Sequence, residues 1–293
     1  MVIDARMLHH GGIGTYIQNL LKHLPLELAP LKAPIYSAAE QLEYLRKIPP
    51  CDFFFSPHFN VPLFKTRAQR QIVTIHDTFH LDNPIPLAKK FAAKVYLKKA
   101  VKADSIITVS EFSKSRILHH FPEAQGKITV IHPGADHLLH IKPKSLKLPK
   151  PFYLFVGSKK PHKNLGVLKN VPNLIALTDG NLPLENLVWL YQNAEALIFP
   201  SSYEGWGLPP LEAMSLGCPV IASKTASIPE ASKDAALYIE TDLETALKKL
   251  PKQRESLIEK GKARSAQFTW KGAAERHLHL FRNFSNQRHP KFT

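Results

Sequence analysis

The chain has 293 residues, 44% hydrophobic and 22% charged, a composition typical of an ordinary soluble protein with room for one large core or two modest ones. Lysine and arginine total 39 against 24 aspartates and glutamates, a formal charge of +15. This excess predicts a polyanionic partner such as a nucleotide diphosphate, an anionic lipid surface or a nucleic acid. Two cysteines exclude a disulfide framework, residues 1–6 are too charged for a signal peptide, and no apolar run could cross a bilayer. We therefore expect a cytoplasmic protein, with peripheral contact at the inner face of the membrane as an alternative.

The first half of the chain alternates predicted strands with predicted helices. A strand over residues 2–8 is followed by the glycine loop Gly11-Gly-Ile-Gly14 and by a helix. Apolar runs rich in branched and aromatic residues then predict strands of a parallel sheet, at 53–55, 72–75, 106–109 and 128–131. Helices are predicted over 87–103 and 111–121, with Ser110 as the N-cap of the second. This order predicts an α/β domain with crossover helices.

Polar side chains follow the ends of two of these strands. Ser56-Pro-His-Phe-Asn60 comes after one strand, and His76-Asp77 comes after the next. Open α/β sheets bind their ligands at this edge. A histidine there can bind a substrate hydroxyl while a neighbouring carboxylate orients its ring.

The helix predicted over 87–103 carries lysines at a spacing of four: Lys90, Lys94, Lys98 and Lys102. Leu87, Phe91 and Val95 form a neighbouring apolar stripe. One interpretation is a core face beside a solvated face. The other is a docking surface for anionic lipid headgroups or for a lipid diphosphate acceptor, whose binding would weaken steeply with salt.

A second α/β unit is predicted after a linker over residues 137–150. Its first strand, 152–156, ends in the basic loop Gly157-Ser-Lys-Lys-Pro-His-Lys-Asn164, which is expected to lead into a helix. Lysines at such a position suit phosphate oxygens. The remaining predicted elements are strands at 173–180, 196–199, 220–222 and 235–239, and helices at 184–191, 211–216, 242–250, 253–266 and from 268 onward.

The segment that organises this second half is Pro200-Ser-Ser-Tyr-Glu-Gly-Trp-Gly-Leu-Pro-Pro-Leu-Glu-Ala-Met214. A buried strand precedes it, a turn with Gly205 and Gly207 follows, and a helix begins near its two prolines. A helix N-terminus can hold a diphosphate without a metal. The carboxylates of Glu204 and Glu212 accept hydrogen bonds, so their natural partners beside a diphosphate are the hydroxyls of a ribose or a sugar. The alternative is a capped helix with solvated acids.

The same segment resembles the E-x7-E signature of retaining GT-B glycosyltransferases of family 4, with Glu204 and Glu212 as its two glutamates. Gly217-Cys-Pro-Val-Ile-Ala-Ser223 and Ile228-Pro-Glu230 continue the family pattern. The resemblance implies an α/β fold of the GT-B type, in which two Rossmann-like parallel-sheet domains face a cleft and a C-terminal helix crosses back to the first domain. The domains are expected at 1–143 and 144–269 (the second shortened), with the crossover helix and tail at 270–293.

Further motifs match the family in its order. Gly11-Gly-Ile-Gly14 resembles its GG-x-G loop, Thr74-Ile-His-Asp77 its histidine-aspartate element, and Lys163-Asn164 its diphosphate loop. His162 occupies the position where the family frequently has an arginine that holds the diphosphate. Lys159 or Lys160 could bind the diphosphate in its place. About one strand-helix unit is missing between Lys163 and Glu204, near the place where the family binds the base. The implied donor-binding residues are Gly12, Gly14, Lys159, His162, Lys163, Gly205, Trp206, Gly207, Leu208 and Glu212.

The resemblance implies transfer of a hexose, with retention, from a nucleotide diphosphate to a glycan or lipid-linked acceptor. Mannose from GDP-mannose is preferred, and UDP-sugars stay open. Glu204, His76 and Asp77 are the implied catalytic residues, and no cofactor or metal is expected because the sequence holds no Asp-x-Asp. The alternatives are a sugar-nucleotide epimerase of the same fold and a catalytically weak nucleotide-sugar-binding module. Nucleic acid is not expected as a partner, because the lysines are scattered and no known nucleic-acid module is present.

Overall fold

The computed structural model describes residues 1–180 and 182–286, with side chains described as far as Asn283. The chain forms two compact units. Unit 1 is Met1–His132 together with the chain from Trp270 onward, and unit 2 is Pro133–Thr269. The division therefore falls at residues 132/133 and 269/270. Both units are α/β, as the sequence predicts.

Unit 1 contains a six-stranded parallel sheet. Its strands are β1 (Val2–Ile3), β2 (Glu27–Leu28), β3 (Cys51–Ser56), β4 (Ala68–Thr74), β5 (Ser105–Thr108) and β6 (Ile128–Val130), in the order β2-β1-β3-β4-β5-β6. The central strands are the near-continuous apolar runs of the sequence, which suit a sheet covered on both faces. β1 and β3 pair in parallel with Ile3 opposite Phe55, so their carboxyl ends lie side by side.

Five helices of unit 1 precede unit 2. They are α1 (Gly11–Leu21), α2 (Ala38–Lys47), α3 (Phe79–Asp82), α4 (Leu87–Ala100) and α5 (Glu111–His120). Ser110 caps α5 as predicted, because its Oγ accepts a hydrogen bond from the backbone of Ser113 at 2.9 Å. Helix α2 was not predicted, although Ser37-Ala-Ala-Glu40 is a capping-box pattern and Ser37 Oγ accepts from Glu40 N at 3.1 Å.

In its described residues, unit 2 contains a five-stranded parallel sheet and four α-helices, besides short 3-10 helices. The strands are β7 (Tyr153–Val156), β8 (Leu174–Leu177), β9 (Leu197–Phe199), β10 (Val220–Ser223) and β11 (Leu237–Ile239), in the order β11-β10-β9-β7-β8. The helices are α6 (Leu184–Asn193), α7 (Leu208–Ser215), α8 (Ile228–Ser232) and α9 (Leu243–Ser265).

Two predictions about unit 2 are wrong. The basic loop after β7 leads into two short 3-10 helices, Pro161–Lys163 and Leu165–Leu168, and not into an α-helix. Asn164 lies between them with φ 52°, in the left-handed region, which interrupts helical hydrogen bonding. The helices predicted at 242–250 and 253–266 are one helix, α9, which continues through Pro251. Pro251 is exposed, while Leu250 and Leu257 on either side of it are buried in the unit 2 core and hold the two halves on one axis.

The chain returns to unit 1 as α10 (Trp270–Asn286), which confirms the predicted crossover of the C-terminal helix to the first domain. Phe281 of α10 lies with its ring centroid 5.2 Å from Phe53 and 5.5 Å from Phe55. Arg276 Nη2 donates to the carbonyl of Val130 at 2.7 Å, at the end of β6. The tail at 287–293 lies outside the described residues.

Candidate active site

Glu204 and Lys163 are in direct contact in unit 2. Glu204 follows β9, Lys163 ends the first 3-10 helix after β7, and the Lys163 ammonium pairs with Glu204 Oε1. Both side chains are mostly buried, at 13% and 14% exposed. Lys163 Nζ also lies 5.2 Å from the centroid of the Phe199 ring, a cation–π distance. A cation and a carboxylate held this close at the ends of neighbouring strands can bind an anion and a hydroxyl side by side.

Backbone hydrogen bonds fix the two loops that carry this pair. Ser202 N donates to the carbonyl of His162 at 2.8 Å, which joins the β7 loop to the β9 turn. Ser227 Oγ donates to the carbonyl of Glu204 at 2.9 Å. The two loops are therefore held at the backbone carbonyls of His162 and Glu204, by a backbone amide and by a serine hydroxyl, which limits how far either side chain can be displaced by movement of its loop.

His162 adds no positive charge to this loop near neutral pH. Burial lowers its pKa to about 4, with further lowering from the positive charges of Lys163 and Lys160. Lys159 is exposed, and its nearest acidic partner is Asp179, at 3.6 Å. Lys163 is thus the cation that the structure brings to Glu204, and the arginine position of the family pattern is filled here by a neutral imidazole.

The turn after Glu204 is shaped by glycine. Gly207 has φ 95°, a conformation in which an L residue would be strained, and it is the N-cap of α7. Leu208 begins the helix, but Pro209 and Pro210 follow and have no N–H. Pro209 and Pro210 therefore remove two of the amides that the start of a helix would otherwise present to an anion.

Trp206 lies in this turn with its side chain in the core. It is 4% exposed, and its ring packs edge-on against Phe268 at a centroid distance of 5.1 Å. The indole therefore anchors the turn in the core of unit 2.

Glu212 is buried on α7 with protein partners at both carboxylate oxygens. Tyr191 Oη, from α6, donates to Oε2 at 3.0 Å, and His137 Nε2 lies 3.4 Å from Oε1. Burial and the neighbouring carboxylate hold the pKa of Tyr191 well above its usual range, so the phenol stays a donor. Neither Tyr191 nor His137 was a predicted site residue. The available indication was a tyrosine on the apolar face of the predicted helix, since a buried phenol needs a hydrogen-bond partner.

In unit 1, the predicted glycine loop is the first turn of α1. Gly12 and Gly14 both lie within the helix. A Cβ on Gly14 would come within 2.5 Å of the carbonyl oxygen of Leu8, so the preceding turn leaves room there for glycine alone. The first N–H groups of α1 have no partner within the helix, as at any helix start.

His76 and Asp77 follow β4 in unit 1, and their side chains form hydrogen bonds with different partners. His76 Nε2 donates to the carbonyl of Pro57 at 2.9 Å, and its ring packs edge-on against Tyr16 at 4.9 Å. Burial lowers the pKa of His76, so the neutral ring keeps Nδ1 as an acceptor. Asp77 Oδ1 accepts from the backbone of Phe79 at 2.9 Å. The group that orients the imidazole is therefore the Pro57 carbonyl, while Asp77 shapes the turn into α3.

Two features that would change the chemistry are absent from the described part of the chain. Across residues 1–180 and 182–286, no three His, Cys, Asp or Glu side chains are grouped so that they could hold a metal ion. Within the same ranges no helix is both long enough and apolar enough to cross a membrane.

Comparison with known proteins agrees with this architecture. The family model described as Glycosyl transferases group 1 matches residues 177–264, and the model described as Glycosyltransferase Family 4 matches residues 37–137. The O-antigen chain mannosyltransferase B of Escherichia coli is 24% identical, over 95% of this chain and 85% of that protein. The O-antigen chain mannosyltransferase RfbU of Salmonella typhimurium is 29% identical, over 78% of this chain and 72% of that protein.

A solved structure gives the class of fold. HepE from Anabaena, determined in complex with UDP and glucose, superposes with a TM-score of 0.68 at 16% identity, over 96% of this chain and 98% of that chain. Two parallel-sheet α/β units with a C-terminal helix returned to the first define a glycosyltransferase fold of the GT-B type. The chain belongs to the group 1 glycosyltransferases, family 4.

Proposed function

We propose that this glycosyltransferase moves mannose from a nucleotide diphosphate to a glycan or lipid-linked acceptor, with retention at the anomeric carbon. The observation that carries the proposal is the mostly buried Lys163–Glu204 pair at the start of α7. Mannose is favoured because the relatives that match most of this chain are named mannosyltransferases. GDP is the preferred nucleotide of the donor, and UDP is the alternative because HepE was solved with UDP.

The ion pair supplies a cation for the diphosphate and a carboxylate for the sugar of the proposed donor. A diphosphate is a stronger partner for Lys163 than one carboxylate, since it carries more charge and more acceptor oxygens. When the diphosphate takes Lys163, Glu204 is released to accept hydrogen bonds from sugar hydroxyls and to stabilise positive charge at the anomeric carbon. Retention requires that the acceptor oxygen bond to the face that the diphosphate leaves.

We propose that the diphosphate is stabilised without a metal ion. Lys163 and the amides of Gly207 and Leu208, at the start of α7, would neutralise the charge that develops on the leaving group. Glu212, positioned by Tyr191 and His137, would accept hydrogen bonds from the ribose hydroxyls. The roles of His76, Asp77, Gly12 and Gly14 at the acceptor and donor sugar stay predictions, as does a cytoplasmic location at the inner face of the membrane.

The decisive experiment is a donor hydrolysis screen without acceptor, over GDP- and UDP-linked sugars, with and without EDTA. We expect GDP-mannose to be hydrolysed fastest, EDTA to have no effect, and Glu204→Ala to lose on the order of a hundredfold in kcat. Glu244→Ala is the matched control, because Glu244 is an exposed glutamate of the same unit paired with Lys248. Hydrolysis by Glu204→Ala at the wild-type rate would refute the role of Glu204.

One observation favours a second function, binding of a nucleotide sugar without transfer. His162 is neutral where the family pattern has an arginine, so the phosphate loop holds less positive charge. Protection against thermal unfolding by GDP or UDP, with no hydrolysis or transfer on long incubation, would support it. An epimerase would instead change the sugar of its donor with no acceptor present, and product analysis in the same screen would detect this.

A further inference from the structure

Helix α4 has apolar residues on two opposite faces. Ala93, Leu97 and Ala100 are buried in the core of unit 1. Leu87, Phe91 and Val95 face solvent, at 83%, 72% and 41% exposed. The interpretation of the latter stripe as a core face is therefore wrong: the small alanines allow the other side of the helix to approach the sheet. Large apolar side chains spaced by four along the outer face of a helix indicate a surface that another body covers.

An apolar groove adjoins this helix. It has a volume of about 490 Å³ and is lined mainly by carbon, and Tyr96 of α4 forms one of its walls. The ring of Tyr96 lies 5.1 Å from that of Tyr36, on the segment before α2. Two exposed side chains, Leu42 of α2 at 52% and Phe64 at 61%, also line the groove. The outer stripe and the groove thus lie on adjoining surfaces of unit 1 and share α4.

Positive charge surrounds this apolar surface. The sequence of α4, LAKKFAAKVYLKKA, contains five lysines and no acidic residue. On the helix, Lys90 and Lys94 lie beside the outer stripe, and Lys98 lies at its C-terminal end, between the directions of Leu87 and Phe91 around the helix axis. Lys65 and Arg67, both exposed, follow Phe64 at the groove. Lysines can keep their ammonium groups at a phosphate layer while apolar neighbours enter the acyl region.

We propose that this surface, the outer stripe of α4 with the rim of the adjoining groove, docks on an anionic lipid bilayer. Phe91 and Leu87 enter the acyl boundary, and the lysines contact lipid phosphates. A second copy of the chain is a poorer occupant, because a two-fold contact would bring one lysine-rich helix against another. An anionic bilayer both complements the positive charge of the lysines and covers the apolar stripe. The inference concerns unit 1 alone and does not depend on the identity of the donor or on the transfer reaction.

The test is flotation of the full chain with vesicles of phosphatidylcholine alone and of phosphatidylcholine with phosphatidylglycerol. We expect binding to the anionic vesicles only, falling steeply between about 50 and 500 mM salt. Leu87→Ser with Phe91→Ser should weaken binding on the order of tenfold or more, since two apolar side chains no longer leave water. Lys90→Ala with Lys94→Ala and Lys98→Ala should weaken it and flatten its salt dependence.

Matched controls lie on exposed helices of unit 2. Leu184→Ser removes an exposed apolar side chain from α6, and Lys248→Ala with Lys249→Ala removes two exposed lysines from α9. Both should float like the wild type. A Phe91→Trp variant gives a second readout, a blue shift of indole fluorescence with anionic vesicles only, relative to the same variant without vesicles.

Three results would overturn the proposal. The first is absence of flotation with anionic vesicles, or equal flotation with neutral ones. The second is unchanged binding in the Leu87→Ser, Phe91→Ser variant, with no spectral shift in Phe91→Trp. The third is sedimentation of the wild type as a dimer that Phe91→Ser dissociates, which would assign the surface to self-association. Circular dichroism of every variant verifies that it is folded.

Discussion

The carboxylates of Glu204 and Glu212 are chemically identical but have different partners, and this difference supports the different tasks that we propose for them. Glu204 is paired with the ammonium group of Lys163, for which a diphosphate would compete. Glu212 accepts a hydrogen bond from the Tyr191 phenol and lies beside the His137 imidazole. A carboxylate that loses this cation when the donor binds would be suited to stabilise positive charge. A carboxylate held in place is suited to position a neutral ribose.

If Glu212 binds the donor as proposed, Tyr191 positions it, and loss of the Tyr191 hydroxyl should change donor binding. We expect Tyr191→Phe to raise the KM for the donor several-fold with kcat nearly unchanged, because Glu212 loses the donor that fixes its Oε2. The same change should lower the free energy of unfolding by roughly 1.5–3 kcal/mol, the range for a hydrogen bond to a charged group. Steady-state kinetics and urea unfolding measure the two effects.

Tyr238→Phe is the control for this prediction, because the half-buried Tyr238 phenol also donates a hydrogen bond in unit 2, to the carbonyl of Lys233 at 2.6 Å, and not to Glu212. A purely structural role would lower the stability of Tyr191→Phe and leave its donor KM at the wild-type value. That result would contradict the positioning role.

At the scale of the element, α10 carries a histidine that cannot easily be protonated. His277 is fully buried, its Nδ1 donates to the carbonyl of Ala273 at 2.7 Å, and its Nε2 lies 2.7 Å from Tyr16 Oη. With Nδ1 protonated, Nε2 accepts from the Tyr16 hydroxyl, which in turn lies 3.1 Å from Thr74 Oγ1. Burial lowers the pKa of His277 to about 4, with further lowering from the charge of Arg276.

This histidine should make the stability of the fold depend on pH. The folded pKa is below the ordinary value of 6.5, so between about pH 6.5 and 4 the unfolded chain binds more protons. Stability is therefore complete above this window and is lost as pH falls through it. One such histidine removes on the order of 2 kcal/mol between pH 7 and 5. We expect His277→Gln, which keeps hydrogen-bonding groups but does not titrate, to flatten the pH dependence of urea unfolding.

The flattening should be partial, because burial also lowers the pKa of His58, to about 4, and that of His76 in the same unit. His279→Gln is the control, since His279 is an exposed histidine two residues along the same helix. Parallel pH profiles for wild type and His277→Gln would show that protonation of His277 does not limit the stability of unit 1.

Some helices and strands of this fold could be predicted from the sequence, and others could not. The central strands were predictable because a parallel sheet buries continuous apolar runs such as 53–55, and the turn from Glu204 to Leu208 was predictable from its glycines and prolines. The two-residue strand β2 was not predicted, and β1 covers only Val2–Ile3 of the strand predicted over 2–8. The orientation of α4 was not. Periodicity identifies its stripes, but the stripe that faces the sheet was decided by packing, where Ala93 and Ala100 permit close approach.

The candidate site was predictable in part for a similar reason. Residue type and strand position pointed to Lys163 and Glu204 separately, but their contact depends on the β7 and β9 loops meeting at the carbonyl of His162. The partners of Glu212 come from α6 and from a 3-10 helix at Asp136–Leu138, which are distant in sequence from α7. Contacts of this kind are set by topology and not by local pattern.

At the scale of the whole molecule, unit 1 is discontinuous in sequence. Its first part ends at His132, and α10 returns from residue 270 to supply buried side chains, among them Trp270 and Phe281. Ala135 N donates to the carbonyl of Phe268 at 3.0 Å, so the chain enters and leaves unit 2 at adjacent points. Residues 132 and 270 are therefore within roughly 25 Å of each other along the connecting backbone.

This connection predicts how the molecule can be divided. A chain of residues 1–132 joined to 270–293 by a flexible Gly/Ser linker of about ten residues should fold and unfold cooperatively, because the linker spans the junction when extended. Residues 1–132 alone should fail to do so. Burial of one large apolar side chain is worth roughly 1.5–3 kcal/mol, so losing Trp270, Phe281 and their neighbours removes much of a typical domain stability of about 5–15 kcal/mol.

Residues 133–269 provide the matched comparison, since unit 2 is continuous and should fold without α10. Circular dichroism and urea unfolding of the three chains measure the outcome. Cooperative unfolding of residues 1–132 alone, at the midpoint of the linked chain, would show that α10 adds little to the core of unit 1. In that case the packing of Phe281 against Phe53 and Phe55 would not be needed to stabilise the sheet of unit 1.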